Sequence, residues 1–203
     1  MKYITPVIII AIIAVCAVLL AYALRFEIEY RRISKYGRTA QKKVANLLVH
    51  HFSLRHVMNF VKLSFGGFQT DIDHIVICDF GVAVIETVSH KGRIETGGEN
   101  SENVWLQQAG GKKVYFNNPT KKNEDSAEMV RLALVDEMGG KIPVYSVIVF
   151  ANNNVEFTER PPNVVTYKQL LSFLEFINMK SKVRLSEAEK KQVRGILREY
   201  ELR

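Results

Sequence analysis

Residues 70–88, TDIDHIVICDFGVAVIETV, decide how this chain folds. Two strand-like runs, Asp71–Cys78 and Val82–Val88, flank Asp79-Phe80-Gly81, which breaks the pattern and reads as a turn. A hairpin symmetric about Asp79 and Phe80 sets Asp73 directly across from Glu86. On the second run Val82, Val84, Glu86 and Val88 share a face, so Glu86 stands in an apolar row. Like charges opposed across strands are destabilising, and the pair needs a compensating cation, a raised pKa or a nearby base. A divalent metal meets that need, because Mg²⁺ is commonly held by one or two carboxylates with water and phosphate oxygens, and there it activates water. A shifted register, or one acid turned outward to meet a lysine, is the structural alternative.

Working outward, residues 56–64 favour a strand and Gly66-Gly67 a turn, so 57–88 reads as a three-stranded antiparallel meander. Ahead of it, Ala40, Val44, Leu47 and Leu48 recur at helical spacing and predict an amphipathic helix of about three turns. Behind it, residues 89–118 are rich in Gly, Asn and Lys, with short strand-like islands at Val104–Leu106 and Val114–Phe116 that read as edge strands or a flap. A second helix is expected over Lys121–Met138, with Pro119 before it and Gly139-Gly140 as its stop. The apolar run Ile142–Phe150 reads as a strand buried on both faces. Thr166-x-x-Gln169 and Ser186-x-x-Glu189 are capping boxes that open two more helices. The class is α/β, with an α-β-β-β-α-β core and a C-terminal helical tail.

From Ile4 to Leu24 the chain carries no charge, and as a helix this stretch spans about 30 Å, the thickness of a bilayer's hydrocarbon core. Arg25, Arg31, Arg32, Lys35 and Arg38 follow it closely, whereas only Lys2 precedes it. The positive-inside rule then predicts a single-pass cell-membrane protein with its N-terminus outside and the remainder in the cytoplasm. A signal peptide cleaved near Ala21-Tyr22-Ala23 is the rival reading. Expected divisions are a transmembrane anchor over 1–25, a juxtamembrane connector over 26–36, a domain over 37–155 and a helical extension over 156–203.

Two cysteines, Cys16 and Cys78, exclude a disulfide framework and a cysteine zinc site. The formal charge of +7 makes a polyanion a plausible partner, with Lys42, Lys43, Lys112, Lys113, Lys121 and Lys122 as candidate phosphate contacts. The same residues read equally as a solvated surface, and the bases after the apolar run as neighbours of anionic lipid.

The succession GRTAQKKVANLL (37–48), TDIDHIVI (70–77), FGVAVIETVSHKGRI (80–94), Trp105 and NNPTKKN (117–123) resembles the nuclease-related domain (NERD), a branch of the PD-(D/E)XK restriction-endonuclease-like superfamily. The resemblance covers about residues 37–152. It implies a leading helix packed on a mixed sheet, and a site with an acid on that helix, an aspartate on the second strand and a Glu-x-Lys on the third. Asp73 and Glu86 match the metal-binding pair, in agreement with the hairpin reading. Elsewhere the chain departs: Gln41 stands where the family usually has a helix glutamate, Val88 where Glu-x-Lys requires lysine, and Lys122 where a glutamine usually follows the Asn-Pro pair. A lysine at such a site orients or activates the attacking water and stabilises phosphorane charge, which valine cannot do. Lys91, three residues past Val88, is the expected substitute, with Lys112 or Lys113 folding back from the flap as others. His74 and His90 read as structural, as does Trp105.

Three functions compete. A degenerate NERD-like protein would bind nucleic acid or a protein partner with weak or no phosphodiesterase activity. An active Mg²⁺-dependent DNA nuclease would use Asp73, Glu86, Gln41 and a relocated lysine. A structural, membrane-anchored protein would dock a partner through its C-terminal helices, although the stripe Val193, Ile196, Leu197 is more often core.

Overall fold

The computed structural model describes residues 15, 16, 19, 20, 37–97 and 101–202. The chain forms two compact units, 1–39 and 40–203. In the first, residues 15, 16, 19 and 20 are helical and exposed. The rest of the apolar run, and the connector over 26–36, lie outside the described residues. Among the described residues no helix is long and apolar enough to cross a membrane.

In the second unit a five-stranded sheet runs in the order β1 (Val57–Phe65), β2 (Phe68–Cys78), β3 (Gly81–Val88), β7 (Val144–Phe150), β9 (Val164–Thr166). β2 runs antiparallel to both β1 and β3, while β7 is parallel to β3 and β9 to β7. The meander and the doubly buried strand expected from the sequence thus join in one mixed sheet. The two short islands join a strand before them and one after β7 in a second sheet, ordered β6 (Lys112–Asn117), β5 (Val104–Ala109), β4 (Gly92–Glu95), β8 (Val155–Phe157).

Alternation along β2 and β3 divides the apolar residues between two layers. Ile75, Ile77, Val82 and Val84 meet α2 (Pro119–Met138) and α4 (Glu187–Glu199) through Val130, Leu134, Val193 and Ile196. Val76, Cys78, Ala83 and Ile85 meet α1, the helix over residues 37–52, through Val44 and Leu48, and α3 (Leu170–Lys180) through Leu170 and Leu174. Burying a side chain of this size contributes roughly 1.5–3 kcal/mol, so each layer draws on many such terms. Residues 156–203 share in both layers: β9 extends the main sheet, and the α4 stripe Val193, Ile196, Leu197 is core. A third cluster joins the sheets, where Val88, Ile148 and Phe150 meet Ile94 and Trp105.

Local signals explain the joints. Ser186 and Glu189 cap α4 reciprocally, with Ser186 N–H donating to Glu189 Oε2 at 2.8 Å and Glu189 N–H to Ser186 Oγ at 3.3 Å. Asp79-Phe80-Gly81 is the β2–β3 turn. Gly81 has φ 130°, and a Cβ there would collide with the Pro143 carbonyl oxygen, which accepts the Val82 N–H at 2.9 Å.

Candidate active site at the fork of the central sheet

The β2–β3 register matches the sequence reading from Cys78↔Gly81 to His74↔Ile85, and there the ladder stops. β2 continues beside β1 as far as Phe68, while β3 continues beside β7 as far as Val88. The two strands diverge into a fork, with Asp73 on one prong and Glu86 on the other. Asp73 therefore faces the other carboxylate from the first position past the ladder, and its side chain replaces the missing backbone partner: Thr87 N–H donates to Oδ2 at 2.8 Å. Gln41, reaching in from α1, donates from Nε2 to Oδ1 at 2.7 Å.

Glu86 is met from the opposite layer. Lys122, in the first turns of α2, places Nζ 2.8 Å from Oε1 and 2.9 Å from Oε2. The NNPTKKN segment explains how. Asn118 caps the helix by accepting the Thr120 N–H at 2.9 Å, and Pro119 occupies the first turn. Buried Asn123 then ties the helix to the sheet, donating to Val84 O at 2.9 Å and Val147 O at 3.2 Å. With Asn118 and Asn123 fixed, Lys122 is delivered to Glu86.

Both acids sit well out of water, Asp73 at 7 % exposure and the Glu86 side chain at 15 %. Burial raises the pKa of each above the usual carboxylate range. The Thr87 N–H, Lys122 and Gln41 oppose this at Asp73, and the Asp73 charge adds to it at Glu86, where Lys122 opposes it. The Asp73 charge thus reaches Glu86 across the fork.

The donor set suits a hard, oxygen-seeking cation. Two carboxylates are balanced by one ammonium, and each carboxylate oxygen retains acceptor capacity beyond its one hydrogen bond. No group of three or more His, Cys, Asp or Glu side chains that could hold a metal exists among the described residues. A divalent ion held at the fork would have Asp73 and Glu86 as its protein carboxylates, with water and other oxygens needed to complete its shell.

The other candidates fall elsewhere. The lysine whose ammonium meets the pair is Lys122, and Lys91, the expected substitute, is exposed, with its carbonyl engaged by Gln107 Nε2 at 2.7 Å. Lys43 is occupied structurally, donating to Ala151 O at 2.9 Å and lying 4.1 Å from the Tyr167 ring centroid. Lys42, Lys112, Lys113 and Lys121 are exposed, Lys112 and Lys113 on the outermost strand of the second sheet. Val88 is buried beside Ile94 and Trp105, in an apolar cluster where an ammonium would have no partner. His90 stacks on Phe116 with centroids 3.9 Å apart, and Trp105 is core. His74 is wholly buried, and burial lowers its pKa to about 4. Cys78 is buried, its thiol pushed up to about 12, so it is not a nucleophile at neutral pH.

The family model of the nuclease-related domain, NERD, matches residues 36–151. The chain belongs to the NERD family. No curated protein and no solved structure matches it. Within the NERD domain the match ends at the close of β7, after every residue of the fork site. Lys122, read from the sequence as a phosphate contact, is the lysine that the structure sets on Glu86. A signal for it exists: Asn123, Ser126, Ala127 and Val130 form the buried stripe of α2, and Lys122 lies at that stripe's edge.

Proposed function

We propose that this NERD domain holds a nucleic-acid phosphodiester at the fork and hydrolyses it with Mg²⁺ bound by Asp73 and Glu86, Lys122 standing in for the strand lysine. The observation that carries this reading is the Lys122 ammonium on both oxygens of Glu86. Mg²⁺, when bound, lowers the pKa of water and shields phosphate charge. Thr87 and Gln41 aim Asp73 and favour its carboxylate form against burial, and Lys122 does the same for Glu86. Half-exposed Lys122 is long enough to turn from Glu86 toward a phosphate oxygen and neutralise the charge that develops during attack. Gln41 holds Asp73 without adding the charge a helix glutamate would bring.

A second reading, binding without cutting, is favoured by that loss of charge at Gln41. Its support is otherwise shared, because exposed Lys42, Lys112, Lys113 and Lys121 serve either. For location, the apolar run Ile4–Leu24 with basic residues behind it supports a single-pass anchor that leaves the domain in the cytoplasm. The test is incubation of the full chain with plasmid and single-stranded DNA while Mg²⁺ or Mn²⁺ is titrated. Metal-dependent cleavage abolished by Asp73→Ala supports the nuclease; salt-sensitive binding without cleavage supports the second reading.

A further inference from the structure

Behind Asp73, on the opposite face of β2, a chain of hydrogen bonds crosses three strands. His74, fully buried, has Nδ1 2.8 Å from Asn59 Oδ1 on β1 and Nε2 3.0 Å from Thr87 Oγ1 on β3. An amide oxygen only accepts, so Nδ1 carries the ring proton and Nε2 accepts from the Thr87 hydroxyl. Thr87 in turn donates its backbone N–H to Asp73 Oδ2. This chain spans the strands at the level where the β2–β3 ladder has just ended, so it does there what ladder hydrogen bonds do lower down.

Phe60 marks the same level on β1. The pairs Asn59↔His74 and Val61↔Ile72 are kept on either side of it, yet Phe60 itself has φ 57°, a left-handed conformation unusual for a bulky side chain. Its ring meets the His74 ring edge-on, with centroids 5.8 Å apart. Strain of this kind persists where the surroundings over-determine it. Here it falls at the residue that faces Asp73 across β1 and β2.

We propose that His74 is a positioning residue for the Asp73–Glu86 site: it fixes Thr87, whose N–H aims Asp73, and thereby sets the geometry with which the fork holds a divalent cation. Its functional consequence rests on the metal-holding reading of the fork; the hydrogen-bond chain is independent of it. The two are separated by measuring Mn²⁺ binding calorimetrically, and amide hydrogen exchange over residues 84–90, on the full chain in detergent micelles. Wild type is compared with Thr87→Val, Thr87→Ser and His74→Gln.

Positioning predicts that folded Thr87→Val loses about tenfold or more in Mn²⁺ affinity while Thr87→Ser, which keeps the hydroxyl, stays within about twofold of wild type. It also predicts faster exchange of the residue-87 amide in Thr87→Val and His74→Gln, but not in Thr87→Ser. A role confined to packing predicts a lower melting temperature in Thr87→Val with wild-type Mn²⁺ affinity, and that result overturns the proposal. Should wild type bind no Mn²⁺, the metal reading fails on its own account. Exchange then decides for His74, whose role is overturned by wild-type protection in Thr87→Val. If His74→Gln does not fold, the valine and serine variants at residue 87 carry the test.

Discussion

Lys122 Nζ lies 2.8 Å from Glu86 Oε1 although the two residues come from different layers, one from the start of a helix and the other from the sheet beneath it. The ammonium thus brings a positive charge from α2 onto a carboxylate of β3. Removing it should therefore act on chemistry more than on folding, since Lys122 is itself half-exposed and buried Glu86 can take up a proton in its absence. Lys122→Gln is expected to lower cleavage by about 10²–10³-fold, with a melting temperature close to wild type. Lys122→Arg should retain part of the activity, as an assay of initial cleavage rates would show.

Asp73→Asn should separate stability from function in the opposite sense. The carboxylate is disfavoured by burial, and an amide of the same shape can still accept the Thr87 N–H, while Gln41 can turn its own oxygen toward the new amide nitrogen. Thermal denaturation should show a melting temperature equal to or above wild type, and calorimetry should show no Mg²⁺ binding. A variant that melts well below wild type would mean that the charge itself holds the fork together.

Because both carboxylates have raised pKa values, ionising them costs the folded state. Their contribution to stability is present below the unfolded carboxylate range and is lost as pH rises through the folded values. A bound cation reverses that loss. Added Mg²⁺ should accordingly raise the melting temperature more at pH 8 than at pH 5, and the difference should vanish in Asp73→Asn.

His74 gives the opposite sign. Its pKa falls from 6.5 to about 4 on folding, so the unfolded chain takes up the proton first. The stability it contributes is complete above pH 6.5 and is lost between there and about pH 4, to a total of about 3 kcal/mol. Denaturant unfolding at pH 7 and pH 4.5 should show this loss in wild type, and a smaller one in a folded His74→Gln variant. Equal losses would place the acid sensitivity elsewhere.

Much of this architecture is written in local pattern. The alternation in DIDHIVI and VAVIE gives strands, their facing residues and the correct register, because a half-buried hairpin cannot slip by one residue without inverting every side chain. The capping box at Ser186 announces α4 because its two side chains meet only when the helix starts there. What is not local is harder to read. Nothing in residues 71–74 says that the ladder ends at His74, since that depends on β3 following β7 while β2 follows β1. Lys122 is hidden for a similar reason: its neighbours Lys121 and Glu124 make it look like any solvated helix residue, and only the anchoring of Asn123 onto β3 and β7 turns it toward Glu86. The short islands around Trp105 and Phe116 carry weak alternation, so their pairing into a second sheet comes from tertiary contact with Ile148 and Phe150.

Val88 shows why restoring the family pattern would not restore a site. Its side chain faces Ile94 and Trp105, and a lysine there would bury an unpaired ammonium. Val88→Lys should melt well below wild type and gain no cleavage. Gln41→Glu, by contrast, adds a carboxylate next to Asp73 and should raise Mg²⁺ affinity in calorimetry while lowering stability in the absence of metal.

The decisive measurement is the rate of Mg²⁺-dependent DNA cleavage by the full chain, side by side with Lys122→Gln and Asp73→Asn, both shown to be folded. The fork predicts cleavage by wild type, a residual rate for Lys122→Gln and none for Asp73→Asn. Cleavage by wild type that survives undiminished in Lys122→Gln, or no cleavage by wild type at any Mg²⁺ or Mn²⁺ concentration, would contradict it.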